Sequence, residues 1–400
     1  MPAEGALSGL KVLELGQAIS APYCACLLAG YGAEVIKIEP PGEGDPARKT
    51  GPFFRDIPHH EGSGSFLYLN TRKKGITLNL ETRAGVDIFK QLVKGADILV
   101  ENFPPEVMPG LGLSYETLER ENPALVMVSI TPFGQTGPYR DFESTNLTAL
   151  AMGGIMSLTG EPDREPLKNA GFQAEYQGGL YAFAAATIVS FGAMMTGLGQ
   201  HVDVSLMECM ASGLEGSLPF TAYLGAEHNR HRGGNRFSPI IGVYPCRDGY
   251  VGVHANAREW PMVAKGIGRP ELIDDPRFST ASARRENRDE LEALIMGWTT
   301  QHTKKEIYEI ASRVRAPFAP VLTVGELPES PHLKARDFFV EIDHPHTGPI
   351  IYPGAPFKMS ETPWQIGRAP LLGEHNQEIY CERLGYARED LVRLRRQGVI

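Results

Sequence analysis

Short runs of β-branched and other apolar residues alternate with amphipathic stretches through about the first 135 positions. This alternation is typical of an α/β fold, in which parallel strands are joined by crossover helices. Each helix is expected where apolar positions recur on one face of a 3.6-residue period. The pattern predicts strands over residues 11–15, 34–38, 75–80, 97–100 and 125–130 and helices over residues 22–30, 83–94 and 114–121.

A longer segment, residues 178–199, contains no charged side chain, and its length is sufficient to span a bilayer. It is nevertheless rich in Gly, Ala, Ser and Thr, and it runs into an alternating, strand-like stretch over residues 201–205. We therefore interpret it as a buried helix of a globular domain. Residues 1–9 carry no secretory signal, so we expect a cytoplasmic protein that does not bind membranes.

Two domains are expected, because 400 residues exceed the usual size of one hydrophobic core. A polar, glycine-rich stretch at residues 228–236 has the composition of a linker, and residues 251–322 combine short strands with charged helices. The predicted boundaries are residues 1–215 and 330–400 for a large domain, 225–325 for a small α+β domain, and about 206–240 and 323–345 for the linkers.

Composition narrows the classes of function. Hydrophobic residues make up 42% of the chain and charged residues 22%, which is ordinary for a globular protein. The formal net charge of -9 argues against nucleic acid as a partner, since phosphate neutralisation needs a basic surface. Five scattered cysteines fit a reducing compartment, and none has a second Cys or His pair at zinc-binding spacing. We expect no metal site.

Candidate ligand contacts follow the predicted strands, because open parallel sheets bind ligands at the carboxyl ends of their strands. These positions are residues 17–20, 102–103 and 131–137. The pair of glycines at Gly42 and Gly44 lacks the third glycine of a dinucleotide fingerprint, and the chain has no phosphate-binding Gly-Lys-Ser/Thr motif. A basic run at residues 70–74 is either a solvated turn or an anchor for an anionic ligand.

Several motifs occur in the same order as in one known family, from about residue 8 to residue 400, and they lie at residues 10–15, 32–45, 100–103, 133–138, 196–205 and 372–376. With them the chain resembles the class III CoA-transferases, which include formyl-CoA and carnitine CoA-transferases and the related α-methylacyl-CoA racemases. The resemblance implies a Rossmann-like large domain, a smaller domain and an interlocked homodimer. It also implies that coenzyme A is a substrate, with a small carboxylic acid as its co-substrate, and that no cofactor is permanently bound.

The resemblance places Glu175 where the transferases carry a catalytic Asp. A carboxylate can attack a thioester carbonyl to give a mixed anhydride, which the released CoA thiolate reopens. Glutamate extends this carboxylate by one C–C bond, ~1.5 Å, and backbone adjustment at Gly178 and Gly179 is one way to absorb the difference. The alternative is that Glu175 only caps the positive end of the helix.

The racemases add a His near the 133–138 motif, where this chain has Thr145. Threonine does not exchange a proton near neutral pH, so racemisation is disfavoured. We interpret His201 and His375 as structural. Three functions remain open: CoA transfer through Glu175, isomerisation or lysis of a CoA ester with Glu175 as general base, and CoA binding without catalysis.

For coenzyme A, the resemblance implies contacts from the first strand–helix turn and from the loop after the fourth strand. Cations that some transferases use are absent, because Pro40, Glu81, Gly110 and Glu143 occupy their places. The candidate replacements for holding phosphate are Arg72, Lys73, Lys74, Arg83 and Arg140. The predicted CoA-binding residues are Gln17, Ile19, Ser20, Leu78, Asn79, Asn102, Phe103, Pro104, Arg140 and Asn146.

Overall fold

The computed structural model describes residues 5–214, 216–225 and 240–400. The predicted linker stretch at 228–236 lies outside the described residues. Contacts within the chain divide it into two compact units, which are described separately. The first unit comprises Met1–Met156, Lys168–Ala226 and Lys334–Ile400, and the second comprises Ser157–Leu167 and Glu227–Leu333.

The described strands fall close to the predicted positions in the first part of the chain. They are β1 (Lys11–Glu14), β2 (Glu34–Glu39), β3 (Lys74–Thr77), β4 (Ile98–Glu101), β5 (Val126–Thr131), β6 (His201–Ser205), β7 (Ile240–Cys246), β8 (Gly249–Ala255), β9 (Phe318–Pro320), β10 (Phe339–Ile342) and β11 (Ile350–Pro353).

A six-stranded sheet forms the centre of the first unit, with the order β3-β2-β1-β4-β5-β6. Every neighbouring pair is parallel. The predicted α/β class with parallel strands is confirmed, and the order is that of a Rossmann sheet. The chain direction across the sheet reverses between β1 and β4, and ligands bind at such a reversal, outside the carboxyl ends of the strands.

Helices cover both faces of this sheet and also build the second unit. The described α-helices are α1 (Ser20–Gly30), α2 (Gly64–Leu69), α3 (Arg83–Val93), α4 (Val107–Gly110), α5 (Tyr115–Glu121), α6 (Asn146–Met152), α7 (Gln173–Thr196), α8 (Leu206–Ser212), α9 (Ser217–Leu224), α10 (Trp260–Gly266), α11 (Ala281–Glu286), α12 (Arg288–Thr299), α13 (Lys304–Val314), α14 (Pro331–Ala335) and α15 (Arg388–Arg396). Helices α8 and α9 occupy part of the predicted linker 206–240.

The two faces of the sheet have separate cores, because side chains alternate along each strand. Strands β4 and β5 are buried along their whole length, as expected for central parallel strands. Val12 and Val128 lie in the cluster that includes α1 and α7 residues. Leu13 and Met127 point to the other side and pack in the cluster that includes α3 residues.

Helix α7 contains most of the charge-free segment 178–199, and its environment differs from that of the buried helix that the sequence predicts. A stripe of small residues that includes Ala174, Gly178, Ala182 and Ala186 is buried, and it packs closely against α1. The outer face of the helix is exposed in the single chain, with Phe191 69% accessible. Among the described residues, α7 is the one helix that is long enough and apolar enough to cross a membrane, judged by length and composition alone.

The region around residue 376 completes the sheet beside β3. The Asn376 side chain accepts a hydrogen bond from the Thr77 backbone N–H at 2.9 Å and donates one to the Thr77 hydroxyl at 2.8 Å. His375 Nδ1 accepts the Gly75 N–H at 3.1 Å, which is a structural contact. The motif at residues 372–376 therefore secures the edge of the sheet.

The second unit has its own core around a three-stranded antiparallel sheet, β7-β8-β9. Strands β7 and β8 form a hairpin across seven residue pairs, from Ile240 and Ala255 to Cys246 and Gly249. Trp260 and Phe278 are among the largest buried side chains of this unit. The segment Ser157–Leu167, which the sequence pattern assigns to the large domain, groups with this second unit.

Candidate active site

The loops that follow β1 and β4 meet at the point where the strand order reverses. The Gln17 backbone N–H donates to Asn102 Oδ1 at 2.8 Å, and Asn102 Nδ2 donates to the Gln17 carbonyl at 2.9 Å. The Asn102 side chain thus makes two hydrogen bonds to the backbone of the other loop. The two loops that the sequence predicts for CoA binding are held together by this reciprocal pair.

Ser20, the first residue of α1, extends this contact towards helix α7. Its hydroxyl oxygen lies 3.1 Å from Asn102 Nδ2, which donates to it. The Ser20 hydroxyl in turn donates to the carboxylate of Glu175. Ser20 is only 2% exposed, so this hydroxyl has few alternative partners in water.

Glu175 is the third residue of α7, within the first turn and half-buried. Removal from water disfavours the charged form, and this burial raises the pKa of the Glu175 carboxyl above its ordinary value, while the hydrogen bond from Ser20 opposes the rise. The unpaired backbone N–H groups of the helix N-terminus favour a negative charge at this position. The carboxylate is therefore both basic and oriented.

Asn146 holds the start of the same helix. Its Oδ1 accepts the Ala174 N–H at 2.9 Å, and its Nδ2 donates to the Gly171 carbonyl at 3.2 Å. Both ends of the amide are engaged, and the side chain is 9% exposed. Asn146 thus fixes the turn that carries Glu175, whereas the sequence predicts a CoA contact for it. The side chain of the preceding residue, Thr145, accepts the Thr148 N–H and so caps the N-terminus of α6.

Gly178 and Gly179, which follow Glu175, are closely packed. A Cβ atom added at Gly179 would lie 2.5 Å from the Ser20 carbonyl oxygen, and one at Gly178 would lie 2.2 Å from Leu206 Cδ2. Both residues are buried inside a regular helix. Gly179 brings α7 against α1, and Gly178 brings it against Leu206. That backbone adjustment in this stretch absorbs the longer Glu175 side chain stays a prediction.

A cleft of about 430 Å³ opens at the carboxyl ends of β1, β2 and β3. Gln17, Leu78, Asn79 and Phe103, four of the residues predicted to contact CoA, line this cleft. The other predicted contacts, Ile19, Ser20, Asn102, Pro104, Arg140 and Asn146, are absent from its described lining. The remaining lining residues are Leu15, Gly16, Ile38, Glu39, Pro40, Pro41, Glu43, Asp45, Leu80, Glu81, Val107 and Leu111.

The basic run at residues 70–74 is not a free phosphate anchor. Arg72 donates to the Ala29 carbonyl at 3.0 Å. Lys73 is buried and lies 2.7 Å from Glu14, and burial lowers its pKa. Lys74 pairs with Glu34 and Glu378. Arg83 is exposed at the first position of α3, and Arg140 is 40% exposed, 3.4 Å from Asp141.

A buried network of ion pairs lies beneath the cleft, and the sequence analysis did not predict it. Lys37 Nζ lies 3.0 Å from Glu14 and 2.7 Å from Asp45, and all three side chains are at most 1% exposed. Lys37 also donates to the Gly16 carbonyl at 2.9 Å. Asp45 Oδ1 accepts the N–H of Ala18 at 3.0 Å. The network therefore fixes the backbone of the turn that precedes Ser20.

That turn needs support, because Ala18 has a φ of 58°, a left-handed conformation that side chains other than glycine rarely adopt. The signal for the network was visible in the strands themselves. Glu14 and Lys37 are charged residues inside runs that otherwise read as buried strands, and charges in such positions are buried only when they are paired.

Comparison with known proteins agrees with this geometry. Residues 7–376 match the family described as CoA-transferase family III. A succinyl-CoA--D-citramalate CoA-transferase from Chloroflexus aurantiacus is 36% identical over 402 residues, 98% of each chain. A succinyl-CoA:(R)-benzylsuccinate CoA-transferase subunit from Thauera aromatica is 36% identical, covering 95% of this chain and 94% of that subunit.

A solved structure extends the similarity to the fold. A CaiB/BaiF family protein from Brucella suis is 32% identical and superposes with a TM-score of 0.84, covering 95% of this chain and 99% of that one. The CoA-transferase class that the sequence predicts for the enzyme is confirmed by these relatives. With a family match over most of its length and relatives aligned end to end, this chain belongs to CoA-transferase family III.

Proposed function

We propose that this enzyme moves CoA from an acyl-CoA to a carboxylic acid, with Glu175 as the nucleophile. The observation that carries the proposal is the hydrogen bond from Ser20 to the Glu175 carboxylate, at the first turn of α7. It joins the acid to the Gln17 and Asn102 loops, which meet beside the cleft. Glu175 is thus linked through Ser20 and Asn102 to Gln17, which lines the cleft.

The reaction begins when a Glu175 carboxylate oxygen attacks the thioester carbonyl carbon. The C–S bond breaks, the CoA thiolate leaves with the electron pair, and an acyl-glutamyl anhydride remains. The thiolate then attacks the Glu175 carbonyl of the anhydride, which releases the acyl group as a carboxylate and leaves glutamyl-CoA on the enzyme. The acceptor carboxylate reverses the sequence and departs as the new acyl-CoA. Every step exchanges one acyl bond for another.

The environment of Glu175 suits this role. Burial makes the ionised carboxylate a stronger base, and therefore a stronger nucleophile, than one in water. The Ser20 hydrogen bond keeps the charged form accessible and orients one oxygen. Asn146 and Gly179 restrict the backbone, so the extra methylene of glutamate, relative to aspartate, is a fixed feature of the site.

The acid co-substrate is proposed from the relatives. Two of them are named for transfer from succinyl-CoA to D-citramalate or to (R)-benzylsuccinate. We propose that this enzyme likewise accepts a small carboxylic acid, and succinyl-CoA is the first donor to test.

The decisive experiment traps the covalent intermediate. The purified enzyme is incubated with succinyl-CoA and treated with hydroxylamine or borohydride, and peptides are analysed by mass spectrometry. Modification at Glu175 is expected, and Glu175→Gln is expected to show neither modification nor transfer. Transfer by the wild-type enzyme with an unmodified Glu175 peptide would refute the covalent route.

Two controls separate the remaining functions. Deuterium uptake at the acyl α-carbon in the absence of any acceptor acid would indicate isomerase or lyase chemistry with Glu175 as base. Absence of turnover with every donor and acid, despite CoA binding, would favour a non-catalytic chain. The Thauera relative is named as a subunit, so that outcome would direct the search to a second chain.

We also propose that the enzyme is an interlocked homodimer. The exposed apolar face of α7 supports this, since Ile188, Phe191, Met194 and Met195 are each about 70% accessible in the single chain. Contiguous exposed apolar surface of this kind marks an interface. A second copy of the chain is the occupant that the family resemblance implies.

A further inference from the structure

Three polar side chains lie on one face of three neighbouring strands, away from the Ser20 and Glu175 contact. Glu101 ends β4, Ser129 is its register partner on β5, and His201 begins β6. Ser129 Oγ lies 2.8 Å from His201 Nε2, and the Ser129 hydroxyl also hydrogen bonds to the Glu101 carboxyl. Glu101 and Ser129 are 2% and 1% exposed, whereas His201 is at the surface.

The Glu101 carboxyl makes a second contact that faces the cleft. Its Oε2 accepts the backbone N–H of Phe103 at 2.7 Å. Phe103 lines the cleft, and the residue between them, Asn102, holds both the Gln17 loop and Ser20. The loop that joins the cleft to Ser20 is therefore tied to the sheet through one buried acid.

We infer that Glu101 is a positioning residue for coenzyme A, because its ionised carboxylate fixes the Phe103 backbone and thereby sets the shape of the cleft. The inference rests on the proposed use of the cleft for CoA. A carboxylate accepts an N–H more strongly than a neutral carboxyl does. Protonation of Glu101 therefore loosens the 102–104 loop without removing any group that touches the substrate.

The titration of Glu101 falls in the physiological range. Burial raises the pKa of its carboxyl to about 7, and the hydrogen bonds from Ser129 and Phe103 oppose the rise. No charged side chain contributes to this pKa within the described part of the chain. His201 is the titratable group reached through Ser129, and it faces Asp203, Glu116 and the ring of Tyr115.

The expected consequence is weaker CoA binding in acid. Above pH 7 the carboxylate is ionised and the loop is fixed; below pH 7 it is protonated and the contact weakens. Glu101→Gln keeps the shape, with an amide oxygen for Phe103 and an amide N–H for Ser129, but it does not ionise. Its CoA affinity is expected to lack the Glu101 inflection and to resemble that of the protonated wild type.

The experiment measures binding of free CoA by calorimetry between pH 5.5 and pH 8.5 in a Glu175→Gln background, so that catalysis plays no part. The 3′-phosphate of CoA itself titrates near pH 6, as phosphate monoesters do, and the difference between this parent protein and its Glu101→Gln derivative removes that common effect. We expect the Kd of the parent to rise several-fold more than that of the Glu101→Gln derivative as the pH falls from 8 to 6.

Two further variants keep the test decisive. Glu101→Ala should bind CoA weakly at every pH, and Glu119→Gln, an exposed acid on α5, should behave like its parent. Identical pH profiles for the parent and the Glu101→Gln derivative would overturn the inference, even if Glu101→Ala fails to fold. If the wild-type enzyme shows no transfer through Glu175, while the parent and its Glu101→Gln derivative still differ in the pH dependence of CoA binding, the proposed reaction is refuted and the role of Glu101 stands.

Discussion

Ser20 donates its hydroxyl hydrogen to the Glu175 carboxylate and receives a hydrogen bond from Asn102 at 3.1 Å. Replacing Ser20 with Ala removes the donor and leaves the buried acid without this partner. A hydrogen bond to a charged group contributes ~1.5–3 kcal/mol, so kcat/KM is expected to fall about 10- to 100-fold at 1.4 kcal/mol per factor of ten. Steady-state kinetics test this, and thermal unfolding of the variant is measured alongside, because the lost hydrogen bonds of this buried hydroxyl should also lower its melting temperature.

The acid limb of the rate profile should belong to Glu175. Only the ionised carboxylate attacks, and burial raises its pKa above the usual 4.5. The value of kcat at saturating acyl-CoA is therefore expected to fall as the pH decreases, with a midpoint above pH 4.5. Ser20→Ala should move the midpoint to higher pH, because the lost hydrogen bond stabilised the charged form. A limb that stays in place in this variant would contradict the assignment.

Two helical glycines, one in α7 and one in α12, provide a matched pair. Gly179→Ala places a methyl group 2.5 Å from the Ser20 carbonyl, which forces α7 away from α1. Because a displacement near 1 Å costs about a hundredfold in rate, we expect a loss of that order together with a lower melting temperature. At Gly297 of α12, which lies outside the proposed α7 interface, an added Cβ meets nothing within 4 Å. Gly297→Ala should leave activity unchanged and raise stability by roughly 0.5–1 kcal/mol.

The buried ion network should be sensitive to the loss of its central cation. Lys37→Met leaves Glu14 and Asp45 buried without that partner, and breaking a buried pair in this way costs about 3–5 kcal/mol. Urea unfolding should show this loss. The comparison is Lys49→Met, because Lys49 pairs with Glu43 at the surface and both side chains are at least half exposed. Its unfolding curve should match the wild type.

The exposed face of α7 should control the oligomeric state. Phe191→Glu introduces a charge into the centre of the proposed interface, where it would be desolvated on association. Light scattering of the wild type is expected to give the mass of two chains. The variant should give one chain, or fail to accumulate as folded protein, since interlocked chains fold together. A wild-type mass of one chain would exclude the homodimer.

The sequence was sufficient to predict the sheet and to select residues that the structure brings together, while their contacts with CoA stay a prediction. β-branched runs identified the strands, and the rule that ligands bind at strand ends selected Gln17, Ser20 and Asn102. Glu175 followed from the family resemblance. Gln17 and Asn102 follow predicted strands, and Ser20 begins a helix. Predicting these elements was therefore nearly enough to predict which residues lie near each other.

The basic run at 70–74 shows why the remainder was not predictable. Adjacent residues there enter different surroundings, and the burial of Lys73 depends on Glu14, which is 59 positions earlier in the chain. Only the order of the strands brings these two together. The prediction that α7 is buried failed for a similar reason, because an apolar helix pattern does not show whether the same chain or a second chain covers the helix.

The clamp on β3 by the carboxyl-terminal region has a consequence for biosynthesis. Asn376 pairs with Thr77, and the N–H of the cleft residue Asn79 donates to the Val399 carbonyl at 2.8 Å. This wall of the cleft lacks its support until the region around Val399 has been translated. A nascent chain therefore cannot complete this wall of the cleft before the region around Val399 has left the ribosome, and rescue of folding by a ligand of the cleft should act only after that point.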